Sequence, residues 1–163
     1  MKEVLFVCTG NICRSPMAEG LFGELVAEDV GISVSSAGIS VYDGQSPSDH
    51  SVEVLREQGI DITAQRSQML TPETVQQADF ILGMTRGHRD AIVSYFPASN
   101  EKVFVLREFV SGVDMDSLEL DVPDPIGMGK DEYERTRNLI QEAMPALLDF
   151  VKNTAKQEND SSK

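Results

Sequence analysis

From position 4 the chain runs Val4-Leu5-Phe6-Val7-Cys8 without a polar residue, then breaks at Thr9-Gly10-Asn11. A short unbroken apolar run that ends in turn residues predicts a strand over 3–8, buried on both faces. The period then changes. Met17, Leu21, Leu25 and Val26 recur at helical spacing behind Ser15-Pro16. This predicts a helix from Ser15 to about 29–31, with Ser15 as its cap, Pro16 at its first position and Glu19 in its first turn. A second strand follows over 32–37 and a turn-rich loop over 38–47. A helix over 48–58 has Val52 and Leu55 on its apolar side and Gly59 as its stop. Residues 60–70 have no regular period. Thr71-Pro72-Glu73 opens a short capped helix to Ala78.

The second half continues the alternation, with a strand over 79–84, a helix over 85–96 and a strand over 102–106. Residues 110–130 are rich in Gly, Asp and Pro. A loop of that length is either functional or mobile. The last helix spans 131 to about 154. Tyr133, Ile140, Leu147 and Val151 share one face, joined by Arg137 and Met144, and Pro145 predicts a kink or a split. Residues 155–163 form a polar tail predicted to be disordered. Strands that alternate with helices predict an α/β fold in one domain over 1–154. Its core would be a small, doubly wound, parallel four-stranded sheet of flavodoxin-like type, with the first strand central and helices on both faces. Such sheets bind ligands beyond the carboxyl ends of their strands, where Cys8 stands.

Composition narrows the function. The chain has 163 residues, 40% of them hydrophobic and 25% charged, the profile of an ordinary soluble domain. A chain of this size buries roughly 70% of its unfolded surface and needs neither disulfide nor metal for a core. No apolar run approaches the roughly 20 residues of a membrane span, and the first run is too short for a secretory signal. A cytoplasmic protein is expected, with a monomer as the default. The net charge of −13, from 27 acidic and 14 basic residues, argues against nucleic acid and anionic membranes as partners. Cys8 and Cys13 lie in one segment and include no Cys-x-x-Cys pair. They cannot staple distant elements or build a zinc site, and they fit a reducing compartment.

A site for an anion inside such a negative envelope needs local positive charge. One segment can supply it: Cys8-Thr9-Gly10-Asn11-Ile12-Cys13-Arg14-Ser15. A loop of this length between strand and helix can turn its backbone N–H groups toward one centre. Gly10 and Asn11 tolerate the positive φ that such a curl requires. The helix N-terminus adds its dipole, and Arg14 offers a planar fork that matches two phosphate oxygens. A free cysteine titrates near ~8.5, and helix N-termini and nearby cations lower that. Cys8 is therefore expected as a thiolate poised for in-line attack on phosphorus. The hydroxyl of Ser15 or Thr9 is placed to hydrogen-bond it.

The string from Val7 through Glu19, Val-Cys-Thr-Gly-Asn-Ile-Cys-Arg-Ser-Pro-Met-Ala-Glu, resembles the signature of the low-molecular-weight protein tyrosine phosphatases. Ser36-Ala37-Gly38 and Asp124-Pro125 resemble further motifs of that family in the expected order. The resemblance covers residues 1–154. It implies a metal-independent, cofactor-free phosphatase acting on phosphorylated proteins, with Cys8 as nucleophile, Arg14 as phosphate clamp and Asp124 as general acid. Spacing alone does not choose Asp124 over Asp114, Asp116 or Asp121. Residues 9–15, that is Thr9, Gly10, Asn11, Ile12, Cys13, Arg14 and Ser15, would bind the phosphate, and Ser36 would hold Asn11. Cys13 is either a small apolar filler or, by the resemblance, a reversible disulfide partner of Cys8. His50 and His88 are read as surface or packing residues. Gln65 stands where many relatives have a histidine behind the cradle.

The substrate is the finer question. Bacterial relatives include protein arginine phosphatases, which carry a threonine where this chain has Ile12. An isoleucine offers an apolar wall for a phenyl ring and favours phosphotyrosine. Tyrosine-specific relatives place an aromatic residue after the Asp-Pro pair, where this chain has Ile126, an aliphatic wall. Tyr42 is either the opposite wall or a surface residue. Arsenate reduction on this fold needs further cysteines, and none follows Cys13. A phosphocysteine carrier module would need neither Arg14 nor a hydrolytic acid.

Overall fold

The computed structural model describes residues 1–155. The polar tail predicted beyond 155 lies outside them. The apolar run near the N-terminus forms β1 (Lys2–Cys8), which is flanked on both sides by parallel partners. β2 (Ile32–Gly38) lies on one side, β3 (Phe80–Gly83) on the other, and β4 (Val103–Val105) beyond β3, so the order is β2-β1-β3-β4. Alternate residues of β1 enter different cores. Val4, Phe6 and Cys8 join Met17, Phe22, Leu82, Met144 and Leu147 on one face. Leu5 and Val7 join Val75, Ile81, Ile92 and Val103 on the other. An unbroken apolar run is what a strand buried on both faces requires.

The helices are α1 (Arg14–Leu25), α2 (Asp49–Arg56), α3 (Pro72–Gln77), α4 (Arg86–Tyr95), α5 (Lys130–Glu142) and α6 (Met144–Asn153). Pro145 splits the last predicted helix as its missing N–H demands: α5 ends before it, and it sits in the first turn of α6, where no donor is needed. Phe150 of α6 packs edge-on against Phe80 and Phe104, and that contact docks the helix on β3 and β4. Short 3-10 turns at Pro97–Lys102 and Leu106–Phe109 bracket β4, which makes it shorter than its predicted span.

Helix α1 corrects three expectations. Its N-cap is Cys13, which makes no side-chain capping bond. Ser15 lies inside the first turn, and its hydroxyl is used by Cys8 instead. The cap and first helical residue lie two positions earlier than predicted, so Glu19 falls beyond the first turn. Leu25 is exposed, while Phe22 takes its place in the core.

Pairing of Cys8 with Gly38 and of Val7 with Gly83 ends β1, β2 and β3 at one edge. Gly38 is at van der Waals limit there. A Cβ on it would lie 2.5 Å from the Thr9 carbonyl oxygen and 3.1 Å from the Asn11 nitrogen. Both neighbours are backbone and cannot swing aside. At the same edge Thr85 caps α4 by accepting from the His88 N–H, and the His88 ring is 5% exposed. Burial, then the nearby Arg14 charge, pushes its pKa down to about 4.

Two stability measurements follow. Gly38→Ala is expected to cost about 1–3 kcal/mol in urea unfolding, with unchanged stability ruling out the close approach. His88 is neutral in the fold, while the unfolded chain protonates it first as pH falls. Its contribution is therefore complete above about pH 6.5 and is lost toward pH 4, by about 3 kcal/mol. The stability gap between wild type and His88→Gln should shrink by that amount over this window, and a pH-independent gap would contradict a neutral buried ring.

Candidate active site

The loop over 8–15 closes on Asn11, whose φ of 56° is the only positive value at a non-glycine among the described residues. Gly10 has no positive φ, so the turn expected at two positions is made at one. Left-handed backbone is tolerable for Asn because its side chain can be satisfied locally. Here Asn11 Oδ1 accepts from the Gln68 N–H at 3.0 Å. Its Nδ2 donates to Ser15 Oγ at 2.8 Å and to Ser36 Oγ at 2.9 Å. Gln68 in turn donates from Nε2 to the Ser36 carbonyl at 2.9 Å. The role given to Ser36 by the resemblance matches this contact.

These donors set the direction of the protons. Ser15 Oγ already accepts from Asn11, so its own hydrogen is free to point at Cys8 Sγ, 2.9 Å away, with the Ala37 carbonyl a weaker choice at 3.5 Å. The Asn11 N–H also donates to Cys8 Sγ at 3.3 Å. The buried sulfur thus sits before two donors at the N-terminus of α1. Ser15, not Thr9, is the hydroxyl on the sulfur.

Arg14 is also buried, its side chain 6% exposed. Nη1 donates to the Val122 carbonyl at 3.0 Å, and Nη2 reaches Thr9 Oγ1 at 3.5 Å and Asp124 Oδ2 at 3.7 Å. Asp124, 46% exposed, is the one aspartate of its loop that meets this guanidinium. Asp121, which spacing did not separate from it, is spent elsewhere. It accepts from the Arg86 backbone N–H at 2.8 Å and pairs with the Arg86 guanidinium at 3.0 Å. The Val122 N–H donates to the Met84 carbonyl at 2.9 Å, and Arg107 holds the Glu119 carbonyl at 2.7 Å. The long loop is pinned at three points before Asp124.

Cys13 contacts a different partner from Cys8. Its Sγ lies 3.3 Å from the Tyr133 hydroxyl, and burial pushes its thiol up. Burial, then the Cys13 contact, pushes Tyr133 up to about 12. Glu19 is pushed up to about 7 by burial, against the pull of hydrogen bonds from the Ser36 hydroxyl and N–H. Gln65 donates to the Pro16 carbonyl at 3.2 Å, while its buried Oε1 meets no donor. Ile12 is half-buried against the α1 core. Ile126 and Tyr42 are 59% and 84% exposed; the Ile126 N–H donates to Asp124 Oδ1 at 3.1 Å, and the Tyr42 carbonyl accepts from the Ser67 hydroxyl at 2.6 Å. Among the described residues no group of three potential ligands could hold a metal, and no helix is long and apolar enough to cross a membrane.

The sequence reading passed over His88. Its Nε2 is 2.9 Å from Thr9 Oγ1 and its Nδ1 3.0 Å from Thr85 Oγ1. A threonine three residues before a histidine at a helix start signals a backbone cap, but it does not announce the contact of the ring with Thr9. Gln68 carried no such signal, since its contact with Asn11 runs through the backbone.

Comparison with known proteins agrees with this geometry. The family model for low molecular weight phosphotyrosine protein phosphatases matches residues 3–159. A protein-arginine-phosphatase of Geobacillus stearothermophilus is 40% identical over 145 residues, 89% of this chain and 93% of that protein. A probable low molecular weight protein-tyrosine-phosphatase of Ralstonia nicotianae is 37% identical over 93% of this chain and 97% of its own. The solved structure of the Geobacillus arginine phosphatase superposes with a TM-score of 0.83 at 38% identity, covering 93% of this chain and 94% of that one. Another arginine phosphatase structure carries a phosphorylated serine in its active site. A cysteine in a curled anion loop, an arginine that closes it and a match across nearly the whole chain have one reading: this protein belongs to the low-molecular-weight phosphotyrosine protein phosphatase family and is a phosphatase.

Proposed function

We propose that the enzyme hydrolyses phosphotyrosine in proteins through a phosphocysteine on Cys8. One observation carries the assignment of roles: Arg14 meets Asp124 at 3.7 Å from a loop whose other end holds Cys8 Sγ between two donors. Nucleophile, clamp and acid thus border one space. Cys8 Sγ attacks phosphorus, and the bond from phosphorus to the tyrosyl oxygen breaks. Arg14 and the loop N–H groups take the equatorial oxygens. The leaving oxygen takes the proton of Asp124, because a phenolate (conjugate acid near ~10) is a poor leaving group at neutral pH. Asp124, now a carboxylate, takes a proton from water. That water attacks phosphorus, the S–P bond breaks, and Ser15 donates to the departing sulfur. The protein groups supply all the charge these steps use.

The choice of phosphotyrosine rests on Ile12, an apolar side chain without a hydroxyl in the middle of the loop. A second reading, phosphoarginine, is supported by the relatives named arginine phosphatases. Both use the same nucleophile and differ in the group that leaves.

Turnover of phosphotyrosine and phosphoarginine peptides in chelator, with Cys8→Ser as control, tests the proposal. At least about tenfold preference for phosphotyrosine, 1.4 kcal/mol in barrier, with a dead control supports it. Preference for phosphoarginine would move the assignment to the second reading. Asp124→Asn should lose about 10²–10⁴-fold in kcat on a phosphotyrosine peptide, and less on para-nitrophenyl phosphate, whose leaving group needs less help. Equal losses on both substrates would remove Asp124 from the role of acid.

A further inference from the structure

Among the buried polar side chains that the steps above do not use, His88 stands beside the loop that carries the nucleophile. His88 lies between two hydroxyls from different segments, Thr85 at the start of α4 and Thr9 directly after the nucleophile. Thr9 Oγ1 also receives Arg14 Nη2 at 3.5 Å. A continuous chain therefore runs Thr85–His88–Thr9–Arg14 and ends on the phosphate clamp.

One tautomer of His88 gives this chain a consistent polarity. Thr85 Oγ1 accepts the His88 backbone N–H at 3.1 Å as the cap of α4. In that tautomer the Thr85 hydroxyl donates to His88 Nδ1, 3.0 Å away. A neutral imidazole that accepts at Nδ1 carries its proton at Nε2. Nε2–H then donates to Thr9 Oγ1 at 2.9 Å. The Thr9 oxygen accepts from His88 and from Arg14, and its own hydrogen remains as a donor. Neutrality is secured by burial and by the Arg14 charge, which together hold the pKa near about 4.

We propose that His88 is a positioning residue of the phosphatase site, which fixes the Thr9 hydroxyl so that its oxygen seats the Arg14 guanidinium and its hydrogen faces a phosphoryl oxygen. The inference rests on the roles assigned above to Cys8 and Arg14. Thr9 is exposed, and rotation about its C–O bond alone would let its hydrogen choose among several acceptors around the loop. A rigid ring anchored at its far side by a helix cap removes that choice. Histidine is suited because its two nitrogens have opposite roles on opposite sides of one ring. An asparagine is too short to span both hydroxyls, and a lysine would add a second cation beside Arg14.

The test is a double-mutant cycle of His88→Ala and Thr9→Val, read by kcat/KM on para-nitrophenyl phosphate and by competitive inhibition with inorganic phosphate at neutral pH. Each single variant should lower kcat/KM and weaken phosphate inhibition by about tenfold, and the double variant should be no worse than the poorer single. Losses that multiply to about a hundredfold would overturn the proposal. So would a His88→Ala protein with reduced thermal stability but unchanged inhibition and turnover. If His88→Ala does not fold, His88→Phe fills the ring's volume without its nitrogens and completes the same cycle. Cys8→Ser run alongside separates the two levels of inference. Activity surviving in it removes the nucleophile assignment, whereas a dead Cys8→Ser with a multiplicative cycle removes only the role of His88.

Discussion

The left-handed backbone at Asn11 is the constraint from which the site follows. A non-glycine residue held there costs of order 1–3 kcal/mol unless its surroundings enforce it. Three hydrogen bonds to the Asn11 side chain do so, from Gln68 and to Ser15 and Ser36. Each partner belongs to a different element, so the curl of the loop is set only when α1, β2 and the segment before α3 are in place. The same amide then dictates where hydrogens go. Because Ser15 and Ser36 both accept from it, Ser15 is left to donate to Cys8 and Ser36 to turn toward Glu19. The geometry of the loop and the polarity around the nucleophile are consequences of one side chain.

The second constraint is electrostatic. The chain carries a net charge of −13, yet its substrate is an anion. Arg14 is the buried cation that reverses the sign locally, and it is held by a carbonyl, a hydroxyl and one half-exposed carboxylate. A pair of that kind, at 3.7 Å and open to water on one side, is worth about 1 kcal/mol or less. A phosphoryl group offers the fork two charged oxygens at shorter range and gains more. In its proposed role, Asp124 can therefore release the guanidinium to the substrate and stay close enough to serve the leaving oxygen. A tighter, fully buried pair would have locked the clamp shut.

The parts legible in sequence were those in which one residue type has one physical use. The unbroken run of β1 could only be a strand buried on both faces, and Pro145 could only interrupt a helix. Cys8 and Arg14 were legible because a turn between strand and helix brings thiol, dipole and guanidinium to one point. Ser15 misled, because a serine before a proline is a good cap on local grounds, and here the tertiary demand of the Cys8 sulfur took its hydroxyl. Asp124 could not be separated from Asp121 by spacing, since the difference lies in which arginine each one meets. His88 was read as packing for the same reason. Its partner Thr9 is 79 positions away, and nothing local announces such a contact.

Long loops are usually the least ordered part of a small α/β domain, yet the acid must be held to within a fraction of an ångström of its working position. The loop over 110–130 meets that demand by being tied at its base. Arg107 takes the carbonyl of Glu119, Asp121 takes both the backbone N–H and the guanidinium of Arg86, and Val122 bonds Met84 through its N–H and Arg14 through its carbonyl. The last anchor comes two residues before Asp124, and Pro123 and Pro125 restrict what lies between and after. On the proposed roles, Arg14 is thus clamp for the phosphate and anchor for the acid. The β1–α1 loop and the loop over 110–130 meet through that guanidinium, so a change that moves Arg14 displaces both the proposed phosphate clamp and the proposed acid, Asp124.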